Sequence, residues 1–346
     1  MPELIVTNFN RNFTGVSATA AAVLRQQMDQ FDLRLVGYPL PGGPDPIPYR
    51  EAVKLSRTPP AGRPFTIWHV RRNPEMRVAI WARDVLGLPI KIVFTSAAIR
   101  RHSAYPRWLI SRMDAVIATT ELAASFVPHV RAVVPHGVET SRFSPAPDRA
   151  AAWAATGYPG KHGIATIGRI RPEKGTDRFV DAMIEVLPKH AEATALVIGR
   201  AANSDEQFLN DLKDKIAKAH ITNRFVFLGE IASTELPEVM RALSLVVQLP
   251  RYEGYGMTPL EGMASGVPFV ATDQGYYRQF SAQGQAGVIT DRAADDIDAL
   301  LSDQSRLTNM SSSAPDIADT HFSIDREASG IAQTYEKLWS DGTTPG

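Results

Sequence analysis

Cysteine is absent from the 346 residues. That excludes disulfides, thiolate nucleophiles and Cys-ligated zinc or iron–sulfur sites. No run of about 18 apolar residues occurs either, so no membrane-spanning helix is expected. The N-terminus, Met1-Pro-Glu-Leu-Ile-Val6, lacks a basic stretch leading into an apolar one, and reads as a first strand rather than a secretory signal. No Gly-x-Gly-x-x-Gly is present, which counts against a nicotinamide dehydrogenase. No Asp-x-Asp pair stands near a strand end and no His/Asp/Glu spacing suits a metal, so no metal or other cofactor is expected. Lysine is scarce in the first 150 residues. Only Lys54 and Lys91 are lysines among 19 cations there, against 11 acids. Residues 151–346 carry the opposite balance, 18 cations against 26 acids, so a net charge of zero hides a basic first half. Arginine grips planar anions with paired hydrogen bonds, and this excess suits an anionic partner or a membrane surface as well as an ordinary solvated face.

What is present is a globular composition, 44% apolar and 21% charged, long enough for two ordinary domains. Strand and helix patterns alternate. In the first half the pattern predicts strands at 4–8, 33–37, 65–70, 90–94, 115–118 and 132–134, with helices at 16–30, 74–86 and 106–111. After Ser144-Pro-Ala-Pro147 and a linker running to about Lys161 it restarts. Strands are expected at 164–167, 195–198, 225–228, 245–248, 269–271 and 287–289, and helices at 176–187, 205–219, 235–242 and 259–264. Strand–helix–strand repetition of this kind makes parallel sheets covered on both faces. The expected fold class is α/β, with two doubly wound Rossmann-like domains facing an interdomain cleft. They span 1–150 and 151–324, and the tail from Ser340 reads as disordered. Ligands bind such sheets beyond the carboxyl ends of the strands.

One segment carries most of the chemistry: Arg251-Tyr-Glu-Gly-Tyr-Gly-Met-Thr-Pro-Leu-Glu261-Gly-Met-Ala-Ser-Gly-Val-Pro268. Thr258-Pro259-Leu260-Glu261 reads as a helix start, with Thr258 as N-cap, Pro259 at the first position and Glu261 closing a capping box. Glu253 then sits on a Gly-flanked loop, with Gly254, Tyr255, Gly256 and Met257 between it and the helix. A helix N-terminus beside glycine backbone suits a diphosphate. A carboxylate on each side suits sugar hydroxyls, so the ligand implied is a nucleotide-sugar.

The string Glu253 through Pro268 closely resembles the signature of retaining glycosyltransferases of family 4, a glutamate, seven residues and a second glutamate. The resemblance extends over about residues 3–340. It implies a glycosyltransferase B-type fold and transfer from a nucleotide-diphosphate sugar without a metal. It also implies a terminal helix, 325–340, crossing back to the first domain. Glu253 is then the ligand of the sugar hydroxyls and Glu261 that of the ribose. In Ile167-Gly168-Arg169-Ile-Arg171-Pro-Glu-Lys174, the resemblance makes Arg169 and Lys174 the diphosphate ligands, with Gly168 admitting the backbone. Gly15, in the loop Asn8–Ser17, is the matching glycine over the donor. The usual histidine after the fourth strand is replaced by Thr95-Ser96-Ala97, and His102 is expected to serve instead, while His136 stands where asparagine is commoner. His69 reads equally well as a satisfied structural residue. The strings Ser96–Ser103 and Asp114–Thr120 look most like lipopolysaccharide-core mannosyltransferases. That implies GDP-mannose as donor and an anionic glycolipid acceptor met by Arg71, Arg72, Arg100 and Arg101. It also implies a cytoplasmic protein associated peripherally with the inner face of the membrane, with no nucleic-acid partner. A UDP-sugar donor and a sugar-nucleotide epimerase are the alternatives.

Overall fold

The computed structural model describes residues 1–343. They divide into two compact units, Met1–Gly137 together with the chain from Ser323 onward, and Val138–Phe322. The first unit holds six parallel strands, β1 (Leu4–Asn8), β2 (Leu33–Gly37), β3 (Thr66–Val70), β4 (Ile90–Ser96), β5 (Ala115–Ala118) and β6 (Val130–Val133), in the order β2-β1-β3-β4-β5-β6. β1 and β3 are buried along their whole length, as expected of strands covered on both faces. Side chains alternate between two apolar layers. Leu4, Val6, Ile67, Val93 and Ile117 enter one; Ile5, Trp68, Val70, Ile92, Phe94 and Val116 enter the other. The terminal helix Ile324–Thr343 seals the first layer with Ile331, Tyr335 and Trp339. The Trp339 indole donates to the Phe65 carbonyl at 2.9 Å, and the Arg63 guanidinium lies 4.0 Å over its ring.

The second unit holds β7 (His162–Ile167), β8 (Ala193–Ile198), β9 (Phe225–Gly229), β10 (Leu245–Gln248), β11 (Phe269–Ala271) and β12 (Gly287–Ile289), ordered β12-β11-β10-β7-β8-β9 and all parallel. The chain reverses its direction of growth between β7 and β10 here, and between β1 and β3 in the first unit. Such switch points leave a crevice at the carboxyl ends of the strands.

The unit boundaries fall at Gly137/Val138 and Phe322/Ser323, earlier than the expected 150 and 324. The reason is packing. Val138, Phe143 and Trp153 belong to the core of the second unit. The supposed linker contains a helix, Arg149–Ala155, capped by Asp148 accepting from the Ala151 N–H at 3.0 Å. Helices at Tyr49–Leu55, Ala293–Ser302 and Gln304–Phe322 were not anticipated. The terminal helix continues through Ser340 to Thr343, so that part of the expected disordered tail is helical. Residues 344–346 lie outside the described residues.

Candidate active site

At the β7/β10 switch, three loops of the second unit are tied together. The loop after β7 ends in a 3-10 turn, Pro172–Lys174, closed by Gly175 at φ 72°. A side chain at Gly175 would run into the Leu249 carbonyl. The Arg251 N–H donates to the Glu173 carbonyl at 2.9 Å. Its guanidinium grips Asp177 through two bonds, at 2.8 and 2.6 Å, and also reaches the Pro172 carbonyl. From the loop after β11, the Thr272 hydroxyl donates to the Pro250 carbonyl and the Tyr276 N–H to the Tyr255 carbonyl, both at 2.9 Å.

This stitching brings Lys174 and Glu253 into contact, Nζ to Oε2 at 2.5 Å. The other Glu253 oxygen accepts the Gly254 N–H at 3.1 Å. The two residues assigned to different parts of a donor are thus partners in the free protein. Tyr255 is buried, its ring stacked on Tyr276 at 5.2 Å, so only its backbone can serve a ligand.

The helix start differs from expectation. The helix is Met257–Ala264 and its N-cap is Gly256, at φ 89°. A side chain at Gly256 would run into the Tyr277 ring, so both space and backbone require glycine. Thr258 is the second helical residue and makes no capping bond, and Glu261 closes no capping box. The positive φ of Gly256 starts the helix at Met257, two residues before the Pro259 that the Thr-Pro pattern indicates. The Met257 and Thr258 N–H groups belong to the first turn, where an α-helix supplies no internal acceptor. Glu261 is left without a hydrogen-bonded partner. Desolvation pushes its pKa up to about 7, while the Arg142 guanidinium pulls the other way. Arg142 itself donates to Glu139 at 2.7 Å and to the Ser233 carbonyl at 3.0 Å.

Gly168 follows β7 at φ 149° with no atom within 4 Å of where a side chain would go, so backbone is accessible there. Arg169 is exposed beside it, and Arg200 is exposed after β8. The Ile170 N–H donates to the Arg200 carbonyl at 3.1 Å, which fixes the two loops side by side. Arg200 was not anticipated, since no motif marks it; its position after the neighbouring strand does. Arg171 lies 3.7 Å from Glu173.

In the first unit, the β1/β3 switch is organised by Glu75, fully buried and also missed. It closes the capping box of helix Asn73–Asp84. Its carboxylate accepts the Thr7 hydroxyl at 3.1 Å and the N–H groups of Phe9, Arg71 and Arg72 at 3.1, 2.7 and 3.2 Å. The run Asn73-Pro74-Glu75 carries the capping signal in retrospect. Arg72 spans the same switch. It bonds Glu75 at 3.1 Å, Asn8 at 3.0 Å, Thr14 at 3.2 Å and Ser17 at 2.8 Å, and so anchors the loop that leads to Gly15. That engagement makes it a brace of the Gly15 loop before anything else. Gly15 opens helix Gly15–Gln27, with open space around its α-carbon.

His69 is a satisfied buried residue. Its ring nitrogens lie 2.5 Å from the Tyr335 hydroxyl and 2.7 Å from the Thr95 hydroxyl, and burial holds its pKa well below the ordinary value. His136 pairs with Glu327 at 2.7 Å, and Glu327 also takes the Gly137 N–H at 2.8 Å. His102 has a buried Nε2 without a partner, and burial lowers its pKa. Arg100 and Arg101 are exposed. Among the described residues, no helix is long and apolar enough to cross a membrane, and no three His, Asp or Glu side chains gather as metal ligands.

Residues 155–316 match the family model described as glycosyl transferases group 1. The chain is 40% identical to the lipopolysaccharide core biosynthesis mannosyltransferase LpsB of Rhizobium meliloti, over 97% of both chains. It is 39% identical to the corresponding LpcC of Rhizobium leguminosarum, over 98% of this chain and 97% of that one. Among solved structures, the C-terminal domain of the Francisella tularensis group 1 glycosyl transferase LpcC matches 54% of this chain and all of its own, at 36% identity and a TM-score of 0.52. Anabaena HepE, solved with UDP, matches 97% of this chain at a TM-score of 0.82 and 17% identity, which shows a shared glycosyltransferase B-type fold. The chain belongs to the group 1 glycosyl transferases, is similar over nearly its whole length to lipopolysaccharide-core mannosyltransferases, and is a glycosyltransferase.

Proposed function

We propose that the enzyme moves mannose from GDP-mannose to an acidic lipopolysaccharide-core glycolipid, with retention and without a metal. The observation that carries the donor half is the Lys174–Glu253 contact at the β7/β10 switch. A donor diphosphate takes Lys174, Arg169 and the N–H groups at the start of helix Met257–Ala264. The Glu253 carboxylate, released from the lysine, accepts sugar hydroxyls, and Glu261 accepts ribose hydroxyls. As the bond from the anomeric carbon to phosphate oxygen breaks, charge grows on the leaving diphosphate, where two cations are worth most. The acceptor oxygen bonds the same face of the anomeric carbon, and its proton passes to the leaving phosphate oxygen. No protein nucleophile is required.

The mannose and acceptor assignments rest on the full-length similarity to LpsB and LpcC. Metal independence rests on the cations at the diphosphate site. Turnover is expected to persist in excess chelator, and GDP is expected to raise the melting temperature more than UDP by mass action. Loss of turnover in chelator, restored by manganese, overturns the metal-free reading; a larger shift with UDP overturns the donor.

Peripheral membrane association is carried by helix Ala104–Ser111, where exposed Tyr105 and Trp108 stack at 6.3 Å. Arg100, Arg101, Arg107 and Arg112 surround them in a stretch, 100–113, that has no acid. Aromatic and basic side chains together favour the interface of an anionic bilayer. The protein is expected to float with anionic phosphatidylglycerol vesicles but not with phosphatidylcholine alone, and Tyr105→Ala/Trp108→Ala is expected to remain in the dense bottom fraction with both. Equal flotation of that double variant removes this surface from the account.

A further inference from the structure

A guanidinium with two unmet nitrogens stands at the carboxyl end of the first unit's sheet. Arg71 directly follows β3, and its Nε and Nη1 are enclosed yet bonded to nothing. Burial draws its pKa down, while Tyr335, Glu327 and Glu75 oppose that. Both carboxylates spend their hydrogen bonds elsewhere. Glu75 serves Thr7, Phe9, Arg72 and the Arg71 backbone, and Glu327 serves His136 and Gly137. They offset the charge of Arg71 and leave its Nε and Nη1 unmet.

A second unmet group shares its face of the sheet. Val70 lies opposite Phe94, so continuing the register sets Arg71 beside Thr95, and Thr95 lies opposite Ile117. Side chains alternate along a strand, so Thr119, two residues past Ile117, falls on the same face. The Thr119 N–H donates to the Ser96 carbonyl at 3.0 Å, which holds it against the end of β4. Its hydroxyl is buried and unpartnered. Of the three side chains, only Thr95 is engaged, with His69 at 2.7 Å. A buried donor left unmet costs stability unless a ligand or water meets it, so each such group asks for an explanation. An arginine and a hydroxyl together suit an oxyanion, for which charge-assisted bonds are the strong ones.

We propose that Arg71 and the Thr119 hydroxyl form the subsite that holds an acid group of the acceptor, a carboxylate or a phosphate. This rests on the acidic acceptor of the proposed function and names the residue that reads its charge. Arg72, braced by Glu75, Asn8, Thr14 and Ser17, positions the neighbouring loop. Arg71 is the specificity determinant.

The test compares wild type, Arg71→Gln, Arg71→Lys and Thr119→Val with three preparations of a lipopolysaccharide-core glycolipid: intact, with its carboxyl groups reduced to alcohols, and with its phosphates removed. Arg71→Gln is expected to lower kcat/KM for the intact acceptor about a hundredfold, mostly through acceptor KM, as for loss of charge-assisted hydrogen bonds. Donor KM and slow donor hydrolysis by water stay at wild-type level. Arg71→Lys recovers part of the loss, and Thr119→Val loses about tenfold. Wild type falls to a similar extent on whichever preparation lacks the group it reads, and Arg71→Gln falls no further on that one. If Arg71→Gln still distinguishes the intact from the neutralised acceptor as wild type does, the subsite is not there. The same holds if wild type uses all three preparations equally. If Arg71→Gln does not fold, Arg71→Lys and Thr119→Val carry the comparison by the same criterion. Failure of wild type to use any preparation is a failure of the proposed function itself.

Discussion

Lys174→Ala is expected to lower kcat by about a hundredfold or more, the usual loss when a charge aimed at developing negative charge is removed. Two effects add. The leaving diphosphate loses a cation, and Glu253, 2.5 Å from Lys174 in the free protein, is left as an uncompensated carboxylate beside the incoming phosphates. Nucleoside diphosphate affinity therefore falls too. The fold is expected to survive, because the pair is only partly buried and joins two loops that other bonds already hold together. The loop geometry does not depend on Lys174 either: Gly175, Arg251 and Asp177 hold it. Adding Glu253→Gln to Lys174→Ala is expected to restore part of the affinity for bare GDP without restoring transfer, since the sugar hydroxyls then lack their carboxylate. Calorimetric titration with GDP beside transfer assays reads both. Normal turnover in Lys174→Ala removes that residue from the site.

Glu261→Gln is expected to raise stability and weaken donor binding at once. The Glu261 carboxyl has its pKa pushed up from 4.5 to about 7, with desolvation the largest cause. The native state therefore holds a proton that the unfolded chain releases above the ordinary glutamate range. Stability falls as pH rises from about 4.5, and the full penalty, on the order of 3 kcal/mol, is present above about 7. Glutamine carries no such penalty. The difference in unfolding free energy between variant and wild type should be near zero at pH 4 and reach its full size by pH 8. GDP affinity should fall about tenfold or more, because a ribose hydroxyl loses a charged acceptor. Denaturant titrations at pH 4, 6 and 8 check the first half. A variant less stable than wild type at pH 8 means Glu261 has a structural partner, and an unchanged GDP affinity takes it out of the ribose site.

The strands were legible because short continuous apolar runs such as Leu4–Asn8 and Ala115–Ala118, buried along their whole length, are bounded by polar and turn residues; the switch points were not, because strand order is a property of the folded sheets. The Glu253–Glu261 string was legible because its glycines and carboxylates sit at fixed spacing. What lay hidden depended on three dimensions. Thr258-Pro259 carries a strong local start signal, yet Gly256 at φ 89° begins the helix before it, because the Tyr277 ring leaves no room for a side chain there. The Lys174–Glu253 contact joins residues 79 apart, which no local pattern encodes. Arg149–Ala155 looked like linker because its alanines carry little amphipathic signal; Trp153, against Gly163, is what docks it. Arg71 and Arg72 read alike in sequence. Only the hydrogen bonds separate a brace with four partners from a guanidinium with two unmet nitrogens.

The measurement closest to the central claim is the anomeric configuration of the product. Purified enzyme, GDP-mannose and an acidic lipopolysaccharide-core acceptor are incubated in excess chelator, and the one-bond carbon–proton coupling at the new anomeric centre is read by NMR. The account predicts an α-mannoside, with GDP released in equal amount. A β-linked product, or transfer only when the chelator is overcome by a divalent metal, contradicts it.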